Sequence, residues 1–127
     1  MDFVTVDLNK GFTDHFDCKK YDCIVATEVI EHLENPIHFL NQISKLLKQN
    51  GFALISFPNI YTYGAIKRFF SRREFVNWNT DQYWSTGHQT ILTDWLFEQH
   101  CKKNNLLVTD KIFCSKLPVH NNIVKRL

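Results

Sequence analysis

No run of apolar residues in this 127-residue sequence is long enough to cross a membrane. Met1, Asp2 and Phe3 do not form a basic region followed by an apolar one, so no secretory leader is expected and the chain reads as cytoplasmic. Charge of one sign is scarce as well. Fifteen Lys and Arg against thirteen Asp and Glu leave a net charge of +2, too little to draw nucleic acid or an anionic surface through the field of the whole domain. Only a local patch could do so. The one candidate is Lys67, Arg68, Arg72 and Arg73, interrupted by Phe69 and Phe70, which reads as the solvated face of a short amphipathic helix. The four cysteines, Cys18, Cys23, Cys101 and Cys114, form no C-x-x-C pair, which argues against a zinc or disulfide framework and for reduced structural thiols. There is no low-complexity stretch and no internal repeat. What the sequence has in quantity is aromatic surface: eleven Phe, four Tyr and three Trp, with only 22% charged residues, exclude disorder and call for one packed core.

Two short apolar runs, Asp22 to Ala26 and Phe52 to Phe57, lack polar alternation, as strands do when both faces are covered in a parallel sheet. Between them Asn35 and Pro36 make a helix start, since Asn caps free amides and Pro fits the first helical position. Ile37, Leu40, Ile43, Leu46 and Leu47 recur on one face, so the helix is expected to run to about Gln49, where Asn50 and Gly51 supply a left-handed stop. Strand, crossover helix and strand of this length form the right-handed unit of α/β folds. Phe3 to Val6 reads as an earlier strand ending at Asp7. Gly64 to Phe70 reads as a short helix in an otherwise irregular segment, Tyr61 to Trp84. A helix follows Thr93, with Leu92 and Phe97 placed as a hydrophobic staple and Asn104 and Asn105 at its end. Leu106 to Thr109 with Ile112 to Cys114 reads as a strand or bulged strand. After Leu117 the pattern is ambiguous, with Lys125 and Arg126 expected to close the chain before a strand at Ile123 and Val124 develops.

The segment from Tyr21 to Pro36, YDCIVATEVIEHLENP, resembles the fourth strand and following turn of class I S-adenosylmethionine-dependent methyltransferases. Leu46 to Phe52 is similar to that family's LLKPGG approach to its fifth strand, and Ser56-Phe57-Pro58-Asn59 to that strand's end. Gly87-His88 followed by Leu92-Thr93 is similar to the family's later GH and LT pair before a helix. The resemblance implies an α/β, partial Rossmann-like fold, a mostly parallel sheet with flanking helices. Residues 1–127 would be the C-terminal part of one methyltransferase domain, with a substrate-side insertion at about 60–90. It departs from the family in one respect: the four glycines, Gly11, Gly51, Gly64 and Gly87, make no G-x-G-x-G loop, and the family's first strands should precede Asp7. Such a loop lets backbone amides approach the methyl donor closely, so a chain lacking it is expected to hold that donor poorly. The Asp22 to Ala26 strand would then carry an unpaired edge. Pairing with a missing N-terminal half, or a homo-oligomer, is the expected consequence.

Ligands of open α/β sheets bind outside the carboxyl ends of strands. By resemblance, Asp7 would accept a hydrogen bond from the adenine of S-adenosylmethionine, with Leu8 against the ring, and Thr27, Glu28 and Val29 would line the same cofactor site. On residue type alone Asp7 and Asn9 can equally form a turn. Glu28, Glu31 and His32 stand at i, i+3 and i+4, which on a helical turn share one face. With His88 as a fourth ligand they could hold a divalent cation, Mg²⁺ or Zn²⁺, as the similar pattern of ubiquinone-pathway and small-RNA methyltransferases does. Without metal, His32 and Glu31 are the expected catalytic pair, because imidazole ordinarily exchanges a proton near neutral pH. Tyr61, Tyr63, Phe75, Trp78, Tyr83 and Trp84 fall where the family covers its substrate. A small-molecule acceptor, methylated on oxygen or nitrogen, is the expected partner, with no membrane and no nucleic acid. The alternative is a non-catalytic module that pairs with another chain.

Overall fold

The computed structural model describes residues 3–16, 20–114 and 119–127. Cys18 and the side chain of Cys114 lie outside the described parts; Cys23 is exposed, Cys101 is buried and both are free thiols. The order is β1 (Tyr21–Thr27), α1 (Pro36–Leu46), β2 (Leu47–Pro58), α2 (Tyr63–Arg72), α3 (Thr80–Thr86), α4 (Asp94–Lys103), β3 (Leu106–Cys114) and β4 (Val119–Arg126), with 3-10 turns at Thr13–Phe16 and Ile30–His32. This is a mixed α/β fold. Among the described residues no helix is long and apolar enough to cross a membrane.

The four strands form one sheet in the order β1-β2-β4-β3. β1 and β2 pair in parallel around the crossover helix α1, as expected from the strand, helix, strand pattern. The sheet is nevertheless mixed, because β4 runs antiparallel to both of its neighbours. The core lies between the sheet and the helices: Phe39, Leu40 and Ile43 of α1 and Phe97 of α4 pack with Ala53, Ile55 and Phe57 of β2. The rings of Phe57 and Phe97 pack with centroids 5.1 Å apart, tilted by 51°.

The capping expectations hold. Asn35 Oδ1 accepts from the His38 amide at 3.0 Å with Pro36 in the first turn, and Thr93 Oγ1 accepts from the Leu96 amide at 3.1 Å. Leu92 and Phe97 are both buried at the staple positions. Asn104 then ties α4 to α1, its amide donating to the Ile37 carbonyl at 3.2 Å.

Five sequence expectations need correction. The first helix ends at Leu46 rather than near Gln49, because Leu47 is fully buried in extended conformation at the start of β2. Asn50 does adopt a left-handed φ of 65°, but inside the irregular start of that strand. Phe3 to Val6 is not a strand: among the described residues no strand pairs with it and Phe3 is 89% exposed, and an unpaired run gains no ladder of hydrogen bonds. β1 is not covered on both faces. It forms one edge of the described sheet and Val25 is 61% exposed, and Phe52 in the other expected strand is likewise 44% exposed. Residues 80–86 form α3 within the segment expected to be irregular, between an Asn79 cap that accepts from the Gln82 amide at 3.0 Å and Gly87 at φ 76°. Finally, Lys125 and Arg126 do not prevent β4. That strand lies between β2 and β3 and pairs with both, while the Arg126 guanidinium donates to the Leu47 carbonyl.

Candidate functional site

The carboxyl end of β1 is bent sharply into the Ile30–His32 turn. Glu28 takes a left-handed φ of 53°, a conformation most side chains avoid, and β2 holds it there. The Glu28 amide donates to Ser56 Oγ at 3.0 Å, and Ser56 Oγ donates to the Glu28 carboxylate at 2.8 Å. Ser56 is buried, and its part in fixing this turn had no counterpart in the sequence reading. The next residues point Glu31 inward and leave His32 half-buried.

A second segment is stitched to this turn. Gly87 ends α3 in the left-handed region that favours glycine, and the chain then passes alongside the turn. The amides of Gln89 and Thr90 donate to the Glu31 carbonyl at 3.1 and 3.0 Å, and Thr90 Oγ1 donates to the Leu33 carbonyl at 2.5 Å. This brings His88 against His32, ring centroids 4.7 Å apart and nearly perpendicular. The Asn77 carbonyl accepts from His88 Nδ1 at 3.1 Å, which fixes the proton on that nitrogen and leaves Nε2 as the free acceptor.

Glu31 is fully buried. Its Oε1 lies 3.7 Å from His32 Nε2, and among the described residues neither carboxyl oxygen has a hydrogen-bond partner. Burial pushes the group up to about 7, with the Glu28 charge adding to the shift and the Glu31 backbone amide opposing it. Burial also lowers His88, as does the neighbouring His32. Glu31, His32 and His88 each offer one ligand atom within 4.8 Å of the others. Glu28 is not in that group; its carboxylate is taken up by Ser56.

The other expected site residues sit as follows. Asp7 is exposed and forms the turn that residue type allowed: Oδ1 accepts from the Asn9 amide at 3.0 Å and Oδ2 pairs with Lys10 at 3.2 Å. Those two contacts hold its carboxyl below the usual range, the Asn9 amide most. Asn9 Oδ1 in turn accepts from the Glu34 amide at 2.8 Å, so this turn is fastened to the loop after β1. Thr27 is exposed at the strand end. Leu8 and Val29 share an apolar cleft of about 450 Å³ with Phe12, Ile24 and Ala26. Of the aromatic set, Trp78, Tyr83 and Trp84 gather beside His88 around a second cleft; Tyr61, Tyr63 and Phe75 do not line it.

A family model described as a methyltransferase domain matches residues 3–110. The chain belongs to the methyltransferase domain family. Among solved structures it is similar to the mitomycin 7-O-methyltransferase, at 14% identity and a TM-score of 0.72, covering 99% of this chain and 34% of that one. An O-methyltransferase family protein from Burkholderia thailandensis gives 15% identity and a TM-score of 0.65, covering 98% and 35%. The magnesium protoporphyrin IX methyltransferase from Synechocystis PCC 6803, solved with bound S-adenosylhomocysteine, gives 15% identity and a TM-score of 0.65, covering 98% and 51%. At these identities the likeness is one of fold, and the chain spans about a third to a half of the length of these structures. No curated protein sequence matches the chain.

Proposed function

We propose that these residues form the acceptor side of an S-adenosylmethionine-dependent methyltransferase that methylates an oxygen or nitrogen of a small molecule. The observation that supports it is the Glu31, His32 and His88 group at the carboxyl end of β1, where an open α/β sheet binds its ligands. The donor, when bound, supplies a methyl group on a positively charged sulfur that leaves readily. Leu8 and Val29, on one apolar cleft next to the exposed Asp7, suit the adenine end of such a donor. A glycine-rich cradle for its methionine end is not among the 127 residues and would have to be added to them.

What remains for the side chains is alignment and one proton. An acceptor hydroxyl beside His32 loses its proton to the imidazole as the new bond to carbon forms. The Glu31 carboxyl, 3.7 Å away, stabilises the imidazolium once ionised. With Glu31 held up to about 7, that support grows as pH rises through neutrality. The expected result is transfer of labelled methyl by the chain joined to a glycine-loop segment, falling on the order of 100-fold in His32→Ala. Equal transfer in His32→Ala would overturn the role of His32.

The same group also fits a divalent cation, and the orphaned Glu31 oxygens favour that reading. One carboxylate and two imidazoles suit Zn²⁺ or Mn²⁺ better than Mg²⁺, and a cation there would orient and acidify an acceptor hydroxyl. Calorimetric titration with Zn²⁺ tests it: saturable binding that is lost in His88→Ala supports the cation, and identical titrations sink it.

A further inference from the structure

The second cleft, about 410 Å³, lies beside His88, and its walls are aromatic: Trp78, Tyr83 and Trp84, with Ile91. α3 and Gly87 make this arrangement one piece. Asn79 starts the helix, Tyr83 and Trp84 sit on it, and Gly87 stops it one residue before the imidazole. The rings of Tyr83 and Trp84 stand 5.1 Å apart, edge to face, and Trp78 lies 5.7 Å from the His88 ring. Trp84 leaves 80% of its surface exposed, a cost in water that a stacked partner would remove.

The chemistry of the lining narrows that partner. Among the described residues no Lys, Arg, Asp or Glu side chain lines the cleft. Two of its polar residues are already committed: Asn79 Oδ1 caps α3, and the Gln89 side-chain amide donates to the His32 carbonyl. The hydroxyls of Thr80 and Tyr83, the His88 ring and the indole N–H groups of Trp78 and Trp84 complete the polar lining, and the buried Trp78 N–H has no hydrogen-bond partner among the described residues. A carboxylate or phosphate would find no cation to pair with, and an alicyclic alcohol would use the walls only as apolar surface. The volume is at the small end for ligand pockets, which suits one or two fused rings.

We infer that this cleft takes an uncharged, planar, hydroxylated aromatic molecule, its ring against Trp84 and Trp78 and its hydroxyl toward His88, which lies against His32. As the identity of the acceptor, this rests on the methyl-transfer reading above; as a binding site, it stands on the cleft alone. The test is calorimetric titration of the chain with 2-naphthol, 2-naphthoate and decahydro-2-naphthol. The expected result is 2-naphthol binding about tenfold tighter than either of the others, the preference shrinking in Trp84→Ala and returning in Trp84→Phe. Trp84 is largely exposed, so neither variant threatens the fold. Equal affinity for the three probes, no binding by any, or an unchanged preference in Trp84→Ala would overturn the inference. The transfer assay separates the two readings. Naphthol binding without methyl transfer keeps the site and counts against the reaction, whereas transfer to an acid or alicyclic alcohol with no naphthol preference does the reverse.

Discussion

β1 and β2 read alike in sequence and live in different surroundings. Each carries an apolar run, and they pair with each other in parallel from Cys23↔Phe52 to Thr27↔Ser56. β2 has β1 on one side and β4 on the other, and buries Leu47, Ala53, Ile55 and Phe57. β1 has one neighbour among the described residues and leaves Val25 and Cys23 exposed. Both strands leave part of their other face open, Phe52 of β2 at 44% and Val25 of β1 at 61%, so coverage is a property of a strand's neighbours, and local composition can only permit it. An edge of this kind is a template for another strand, which keeps pairing with a further segment or chain as a second reading of the molecule's role.

The comparison can be broken most forcefully at its buried member. Ile55→Ala is expected to lower stability to urea by about 3 to 4 kcal/mol through lost burial and the cavity left. Val25→Ala in β1 is expected to change it by less than about 0.5 kcal/mol. Comparable losses would mean that β1 is covered in solution.

The next effect lies just past the end of β1, where exposure gives way to the buried Glu31. A carboxyl that titrates near 4.5 when unfolded and about 7 when folded binds its proton more tightly in the folded chain. Stability is then lost as pH rises from about 4.5 to 7 and is level above that, by roughly 3 kcal/mol at most. In chelator, Glu31→Gln should remove this slope, matching the parent at pH 4 and exceeding it at pH 8. Parallel pH profiles would show that Glu31 is solvated or paired.

The smallest effect sharpens the junction of the two strands. A Cβ on Gly51 would stand 3.0 Å from the backbone oxygens of both Lys48 and Tyr21, and neither can swing away. Gly51→Ala is expected to cost about 1 to 2 kcal/mol, read as a lower urea midpoint with unchanged slope. An unaffected midpoint would place the start of β2 farther from β1.

Much of this was legible before the structure. Asn35 with Pro36 and Thr93 with its staple marked α1 and α4 because capping is local chemistry. The E-x-x-E-H pattern placed Glu31 and His32 together, and His88 was drawn in by its glycine. Other features were not legible because their causes are remote. β4 exists by inserting between β2 and β3, which no feature of Ile123 to Arg126 announces. Ser56 matters only because Glu28 follows Thr27, its partner across the parallel pair. α3 did carry a signal, an Asn cap at 79 and a glycine stop at 87, hidden by the aromatic and polar mixture between them. Phe3 to Val6 has the composition of a strand and has no partner strand among the described residues.

The most direct measurement sets the two clefts against each other: calorimetric titration of this chain with 2-naphthol and, separately, with S-adenosylhomocysteine. For an acceptor-side unit without a glycine-rich loop, the expected result is saturable naphthol binding and no tight binding of S-adenosylhomocysteine. Tight S-adenosylhomocysteine binding with no naphthol binding would contradict it.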